Sequence, residues 1–587
     1  MEEMVRDKID KSRVLTGFLG IILLVLIMPA SIADASQFTY PANGDSNTES
    51  MPKQTAGDAA FNVPVVYAFI PVNYLPVKAE SGPEINPREA YSRLLNISIE
   101  MAYLNTMISL SDWDQSISMP PNATEYRSRA QSYLVDLENK KWIDPEFGML
   151  LSIANNGSNW STVEAANLRI WNREYNKRIK LPPDFAARES NMVSLSQAAW
   201  EEAREKNDYS IFEPHLKALV ELNKEKARYW GYEEHPYDAL LDDFMPGMTV
   251  EKCDRLFADI KPQTIELIRK MNESNANGPK NVYSNAFYSE DKQEEFTKSI
   301  TSALGYDYGS GQMIKTKRHP STCTIGAHDV RTSLTYEEDN PEDAIFAAIH
   351  EGGHGIASQK IPDEYYEMPI ATEPGMDIAE AESRLFENNI GRSRAFWEYW
   401  LPQMKTKFSP AMDNISSDDM YRYTNRLNLS PVRLDADEAS YILHIIIRYE
   451  IERDLFEGKI NVEDVPEAWN QKYKEYLGVD VPDDKNGVLQ DIHWASGYFG
   501  YFPAYAVGSM NAAQLEATMR KEYPDLDQRF KSGNFSTPGA WMDEHVYRYG
   551  AIYNTSELMK NATGNETQPS YFLNYLNTKY GQIYGFK

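Results

Sequence analysis

His350-Glu351-Gly352-Gly353-His354 is the segment whose residue types and spacing could do chemistry. On a helix, positions i and i+4 lie one turn apart on one face, so both imidazoles can meet one Zn2+ ion. The glutamate between them is then placed to take a proton from water. A catalytic zinc wants a third protein ligand and a position left for water. The next histidine, His444, lies far along the chain, which excludes the H-E-x-x-H-x-x-G-x-x-H arrangement. A downstream carboxylate must serve instead. Glu380, 26 residues beyond His354, is the first choice, and Glu373, Asp377, Glu382 and Glu387 compete with it.

These residues need elements to hold them. Asp343–Ile349 (DAIFAAI) is a good helix former with an apolar face. Gly352 and Gly353 each cost about 1 kcal/mol in a helix interior relative to alanine, so close approach to substrate or to a neighbouring helix should compensate. Apolar residues recur at three- and four-residue spacing in Tyr91–Leu110, Leu216–Arg228, Val250–Met271, Ile378–Phe396 and Ala439–Phe456, which predicts helices. Strand-like alternation is scarce and concentrates between Ile314 and Tyr336. The expected fold is mainly α, a large helical domain over 88–587 with a cleft and a small β-sheet. No repeat is visible, so a solenoid is not expected.

Composition bounds the partners. A net charge of −28 argues against non-specific nucleic-acid binding and against adhesion to anionic lipid. Two cysteines, Cys253 and Cys323, allow one bridge at most and exclude a cysteine-rich metal site. Residues 14–28 are uncharged and apolar, follow Arg6, Lys8, Lys11 and Arg13, and precede small residues ending in Ala35. That pattern predicts a signal peptide over 1–35, with an uncleaved anchor as the alternative. Eleven Asn-x-Ser/Thr sequons support export to the cell envelope or beyond. Residues 36–87 read as a spacer.

Several segments together resemble the thermostable carboxypeptidase (carboxypeptidase Taq) family of metallocarboxypeptidases. They are Ser111-Asp-Trp-Asp-Gln115 with Met119-Pro-Pro121, His235-Pro-Tyr-Asp-Ala-Leu-Leu241 and Asp329-Val-Arg331. The H-E-x-x-H, Glu382-Ser-Arg384 with Glu387-Asn-Asn-Ile-Gly-Arg392, Val432-Arg433-Leu-Asp-Ala-Asp437, and Gly487-Val-Leu-Gln490-Asp491-Ile-His493-Trp494 complete the set. The resemblance implies a helical fold with a deep central cleft, a zinc or cobalt ion, release of single residues from peptide C-termini, and a homodimer. It also implies Glu380 as the third ligand, because the family's His-Glu-Ser-Gln-Ser-Arg aligns with Ala379–Arg384. Among the departures from it, Ala379 and Ala381 stand for the family's His and Ser, Ser321 for the Phe of His-Pro-Phe, and Ser333 for a Thr.

The resulting expectations place His350, His354 and Glu380 on the metal and Glu351 as the base. His493 and a tyrosine of Tyr498–Tyr505, taken as Tyr501, are the candidate oxyanion donors. Arg433, then Arg331, are candidates for the terminal carboxylate, since a guanidinium binds it bidentately. Gln490 and His319 are further cleft candidates. An endopeptidase, a dipeptidyl carboxypeptidase and a catalytically impaired peptide-binding protein are the rival readings.

Overall fold

A computed structural model describes residues 85–274, 279–283, 286–317 and 320–586. The predicted leader, the spacer up to residue 84 and His319 lie outside them.

The chain is helical from its first described element. That helix, Pro87–Ile117, starts where Asn86 accepts a hydrogen bond from the Glu89 amide and Pro87 takes a position that needs no amide donor. The helix that carries the motif, Pro341–Gln359, is started the same way: Asn340 accepts from the Glu342 amide, Pro341 follows, and Glu342 and Asp343 complement the positive helix end. Glu438–Glu457 is capped by Asp437 and stops at Gly458, whose φ of 78° suits glycine.

The principal core joins helices from Tyr209–Trp230 to Pro569–Tyr584 and takes in Ile345 and Ile349 of the motif helix together with Phe386, Trp397 and Met510. A second cluster of Ala90, Leu94, Phe147, Leu151 and Trp171 holds the N-terminal helices together. Each of the large apolar side chains contributes about 1.5–3 kcal/mol by leaving water.

The sheet has three strands, β1 (Gly311–Lys315), β2 (Ser321–Gly326) and β3 (Asp329–Leu334), in the order β1-β3-β2. β1 runs parallel to β3, and β2 antiparallel. It lies between the first helix and the motif helix. All of this falls within the stretch expected to hold strands. The expected helix over Ile378–Phe396 is interrupted: Met376–Arg384 is α-helical, Leu385–Gly391 forms a wider π-helical turn, and a new helix, Arg394–Phe408, follows. Cys253 and Cys323 are separate buried thiols, one in a core helix and the other on β2. Among the described residues no helix is long and apolar enough to cross a membrane.

Candidate metal centre and cavity

One cavity of about 2340 Å3 is lined by His350, Glu351, His354, Ala379 and Glu380 on one side and by Arg433, Gln490, Asp491, His493 and Tyr505 on another. His350, His354 and Glu380 each present a ligand atom within 4.8 Å of the other two. His350 Nε2 faces the Glu380 carboxylate at 3.9 Å, and its Nδ1 is 2.9 Å from Glu387 Oε2. A carboxylate on the outer nitrogen fixes the tautomer and aims the inner one at a metal. Burial opposes charge on both imidazoles. It leaves His354 much harder to protonate than usual, whereas Glu387 reverses the effect at His350. Two imidazoles and one carboxylate in this geometry suit a divalent metal of the zinc type.

Backbone contacts bring these helices close enough. A Cβ on Gly353 would lie 2.9 Å from Ser383 Cα and 3.0 Å from the Glu382 carbonyl oxygen. The motif glycine therefore compensates its helix cost through close packing on the Glu380 helix. Gly508 plays the same part from the other side, since a Cβ there would lie 2.6 Å from Glu380 Cβ. The π-helical turn then swings Glu387 onto His350, where Arg384 Nη1 at 3.3 Å and Arg392 Nη2 at 3.2 Å also reach it. Burial works against this carboxylate, but the two guanidiniums and His350 hold it far below the usual range. Of the acids that competed with Glu380, Glu387 sits behind a ligand, and Asp377 is turned to the Thr555 hydroxyl at 2.9 Å.

Glu351 is 8% exposed, and burial pushes its carboxyl up. The hydroxyl of Thr322 on β2 donates to its Oε2 at 2.8 Å. Thr322 pairs across the sheet with Thr332, so this face of the sheet is turned to the motif helix. Arg331 is one residue on and therefore points to the opposite face. There it pairs in register with Cys323, beside Trp113, and forks onto Asp329 at 2.8 and 2.7 Å. It does not line the cavity, which corrects its placement as a cleft residue.

The other wall is built from distant segments. Asp491 is shared by two arginines. Arg433 donates to Oδ1 from Nε at 3.0 Å and Nη2 at 2.8 Å, while Arg448 donates to Oδ2 from Nε at 2.7 Å. Burial would raise the Asp491 pKa, but the two cations drive it far below normal. Arg433 Nη1 is held by the Tyr441 hydroxyl at 3.0 Å. Its fork is thus committed to Asp491, and its part here is to anchor the 490–493 segment. Gln490 is likewise engaged, accepting from the Arg433 amide and from Arg448 and donating to two carbonyls. His493 lines the cavity, its ring tilted against that of Phe502 with centroids 4.5 Å apart. Tyr501 stands behind Tyr505, with ring centroids 5.4 Å apart, and it is Tyr505 that reaches the cavity.

Two of the departures meet one another. Ser321 and Ser333 are cross-strand partners with hydroxyls 3.0 Å apart, so a polar pair replaces Phe and Thr together. Ala379 lines the cavity beside Glu380, and Ala381 is fully buried against the helix bearing Gly508. Thr322 and Arg384 were not singled out from the sequence. Arg384 lay within a matched segment, but nothing in the spacing pointed to Thr322.

A helical scaffold carrying an H-E-x-x-H helix, with a glutamate of a neighbouring helix within reach of both histidines, is the arrangement of a metallopeptidase. Residues 93–580 match the family described as carboxypeptidase Taq (M32) metallopeptidase, and the chain belongs to that family of metallocarboxypeptidases. It is 36% identical over 485 residues to carboxypeptidase 1 of Bacillus subtilis, covering 82% of this chain and 96% of that one. It is 34% identical over 513 residues to thermostable carboxypeptidase 1 of Thermus thermophilus, covering 85% of this chain and all of that one. The M32 carboxypeptidase structure from Deinococcus radiodurans superposes with a TM-score of 0.82 at 32% identity, covering 84% of this chain and 99% of that one.

Proposed function

We propose that the chain is a zinc-dependent carboxypeptidase that releases single residues from the C-termini of peptides, with Co2+ able to replace Zn2+. The observation that carries this reading is the convergence of His350, His354 and Glu380 beside the buried carboxylate of Glu351 in one cavity. His350, His354 and Glu380 would hold the ion, which when bound supplies Lewis-acid polarisation of the scissile carbonyl and a more acidic water.

The chain's own residues do the rest. Glu351 takes the proton of the attacking water and passes it to the leaving amine. Burial makes that carboxyl more basic than a surface glutamate, and the Thr322 hydroxyl fixes its direction. Tyr505 stays protonated, because burial and the nearby Glu380 raise its pKa well above normal, so it offers an O–H to the developing oxyanion. His493 is the second candidate donor on that wall. The proposal extends to a homodimer and to export through residues 1–35.

Mass spectrometry of an unstructured peptide of about ten residues, incubated with the purified chain and zinc, tests the reading. A ladder shortened one residue at a time from the C-terminus is expected, and Glu351→Gln should slow it by about 10³-fold. Steps of two residues, or internal cuts, would instead assign a dipeptidyl carboxypeptidase or an endopeptidase.

A further inference from the structure

Among the described residues five arginines line the cavity: Arg204, Arg384, Arg392, Arg426 and Arg433. Four are committed to carboxylates of the protein. Arg384 and Arg392 face Glu387, Arg426 meets Glu342 at 2.9 Å, and Arg433 meets Asp491 at 2.8 Å. Arg204 has no carboxylate partner among the described residues. It belongs to helix Phe185–Lys206, and its guanidinium lies 5.1 Å over the ring of Trp200. That indole is fixed in turn, donating from Nε1 to the Leu489 carbonyl at 3.0 Å. Leu489 begins the segment that continues through Gln490 and Asp491 to His493, so Arg204 stands on the wall that carries His493. Asp491, the acid whose charge reaches it, already has both oxygens occupied by Arg433 and Arg448.

A guanidinium half withdrawn from water, stacked on a fixed aromatic ring and left without an anion, is prepared to receive one. We infer that Arg204 is the carboxylate-binding residue of the cavity, taking a carboxylate of the peptide substrate in a bidentate fork. Burial also lowers the pKa of Arg204, as expected for a cation that waits for its partner, and Asp491 offsets only part of that. The inference rests on the peptidase reading for the identity of the ligand as a peptide. It assigns the recognition expected of Arg433 and Arg331 to a residue that nothing in the motifs marked.

The carboxylate has two sources, the chain terminus and an acidic side chain, and the test separates them. Glu351→Gln protein, which binds without turnover, is titrated calorimetrically with three pentapeptides: one neutral with a free C-terminus, the same peptide amidated, and the amidated peptide carrying one glutamate. Adding Arg204→Ala should weaken binding of a carboxylate-bearing peptide about tenfold and leave the neutral amide unchanged. Loss confined to the first peptide assigns the terminal carboxylate, and loss confined to the third assigns an acidic side chain. Arg204→Gln, which keeps the stem over Trp200, gives the same reading if the alanine variant does not fold. Equal affinity of variant and parent for every peptide would overturn the inference. So would equal loss for all three, or failure of the parent to prefer carboxylate-bearing peptides. Failure of the peptidase reading shows separately, as wild-type protein that does not shorten peptides.

Discussion

The two walls of the cavity are built on opposite principles. On the metal wall, His350, Glu351 and His354 come from one helix, Glu380 from the next and Glu387 from the π-helical turn that follows it, and the helices meet through backbone packed against backbone at Gly353 and Gly508. On the other wall, Asp491 draws Arg433 and Arg448 from the regions before and within another helix into a buried charge network. The first wall tolerates almost no added volume, and the second tolerates no lost charge. Close backbone packing, with the Glu387 ion pairs behind it, positions the candidate ligands, and charge pairing holds the segment that carries His493.

Substitutions that remove charge or add volume separate the two. The largest effect is expected at Asp491→Asn, which leaves two buried guanidiniums short of a counter-charge. Thermal or denaturant unfolding should show a loss of about 3–5 kcal/mol at neutral pH. The Asp491 pKa is depressed on folding, so its stabilisation is full above the unfolded value of about 3.9 and is lost as pH falls below it. The gap between wild type and Asp491→Asn should therefore be constant from neutrality to about pH 5 and shrink in stronger acid. A gap that widened there would refute the charge assignment.

On the metal wall, Glu387→Gln removes the charge behind His350 while keeping its size. Zinc affinity, read by competition with a chelating dye, should fall about 10–100-fold, and unfolding should also show lost stability, because Arg384 and Arg392 lose their buried counter-charge. Unaltered affinity would mean that Glu387 serves only Arg384 and Arg392. Gly353→Ala tests shape alone, since its Cβ would meet backbone atoms of the Glu380 helix that cannot rotate away. Unfolding should report about 1–3 kcal/mol lost, against the small gain alanine brings in an ordinary helix. Thr322→Val is nearly isosteric and removes only the hydroxyl on Glu351. Turnover should fall about tenfold with zinc affinity intact, and a parallel loss of zinc would show that Thr322 supports the site's shape instead.

Legibility in the sequence followed the same division. The motif, its helix, the strand-bearing stretch and most helices were readable because their signals are local periods and caps. Spacing alone left five acids open for the third ligand, and the family pattern was needed to choose Glu380. The role of Glu387 was hidden, since an unbroken helix over Ile378–Phe396 would not have predicted the π-helical turn that aims it. Asp435 and Asp437 are the acids nearest Arg433 in sequence and its natural partners by spacing. Asp437 instead caps the next helix, and the true partner lies 58 residues away. Arg331 misled because its motif names residue types and not the face of the strand. A strand's two-residue period would have separated it from Thr332, had the sheet's position against the motif helix been known.

The wide turn at Leu385–Gly391 acts as a phase shifter on a screw. An ordinary helix advances about 100° per residue. Cutting one residue out of the turn, for example Asn388, would let it relax to regular winding and offset everything downstream by about that angle. Arg392 and, on the following helix, Trp397 would be carried out of step with Phe346 of the motif helix, although every side chain named in the metal motif would still be present. An insertion or deletion scan of this one turn should therefore be far less tolerant than its lack of a recognisable signature suggests, with the penalty set by rotation and not by residue identity.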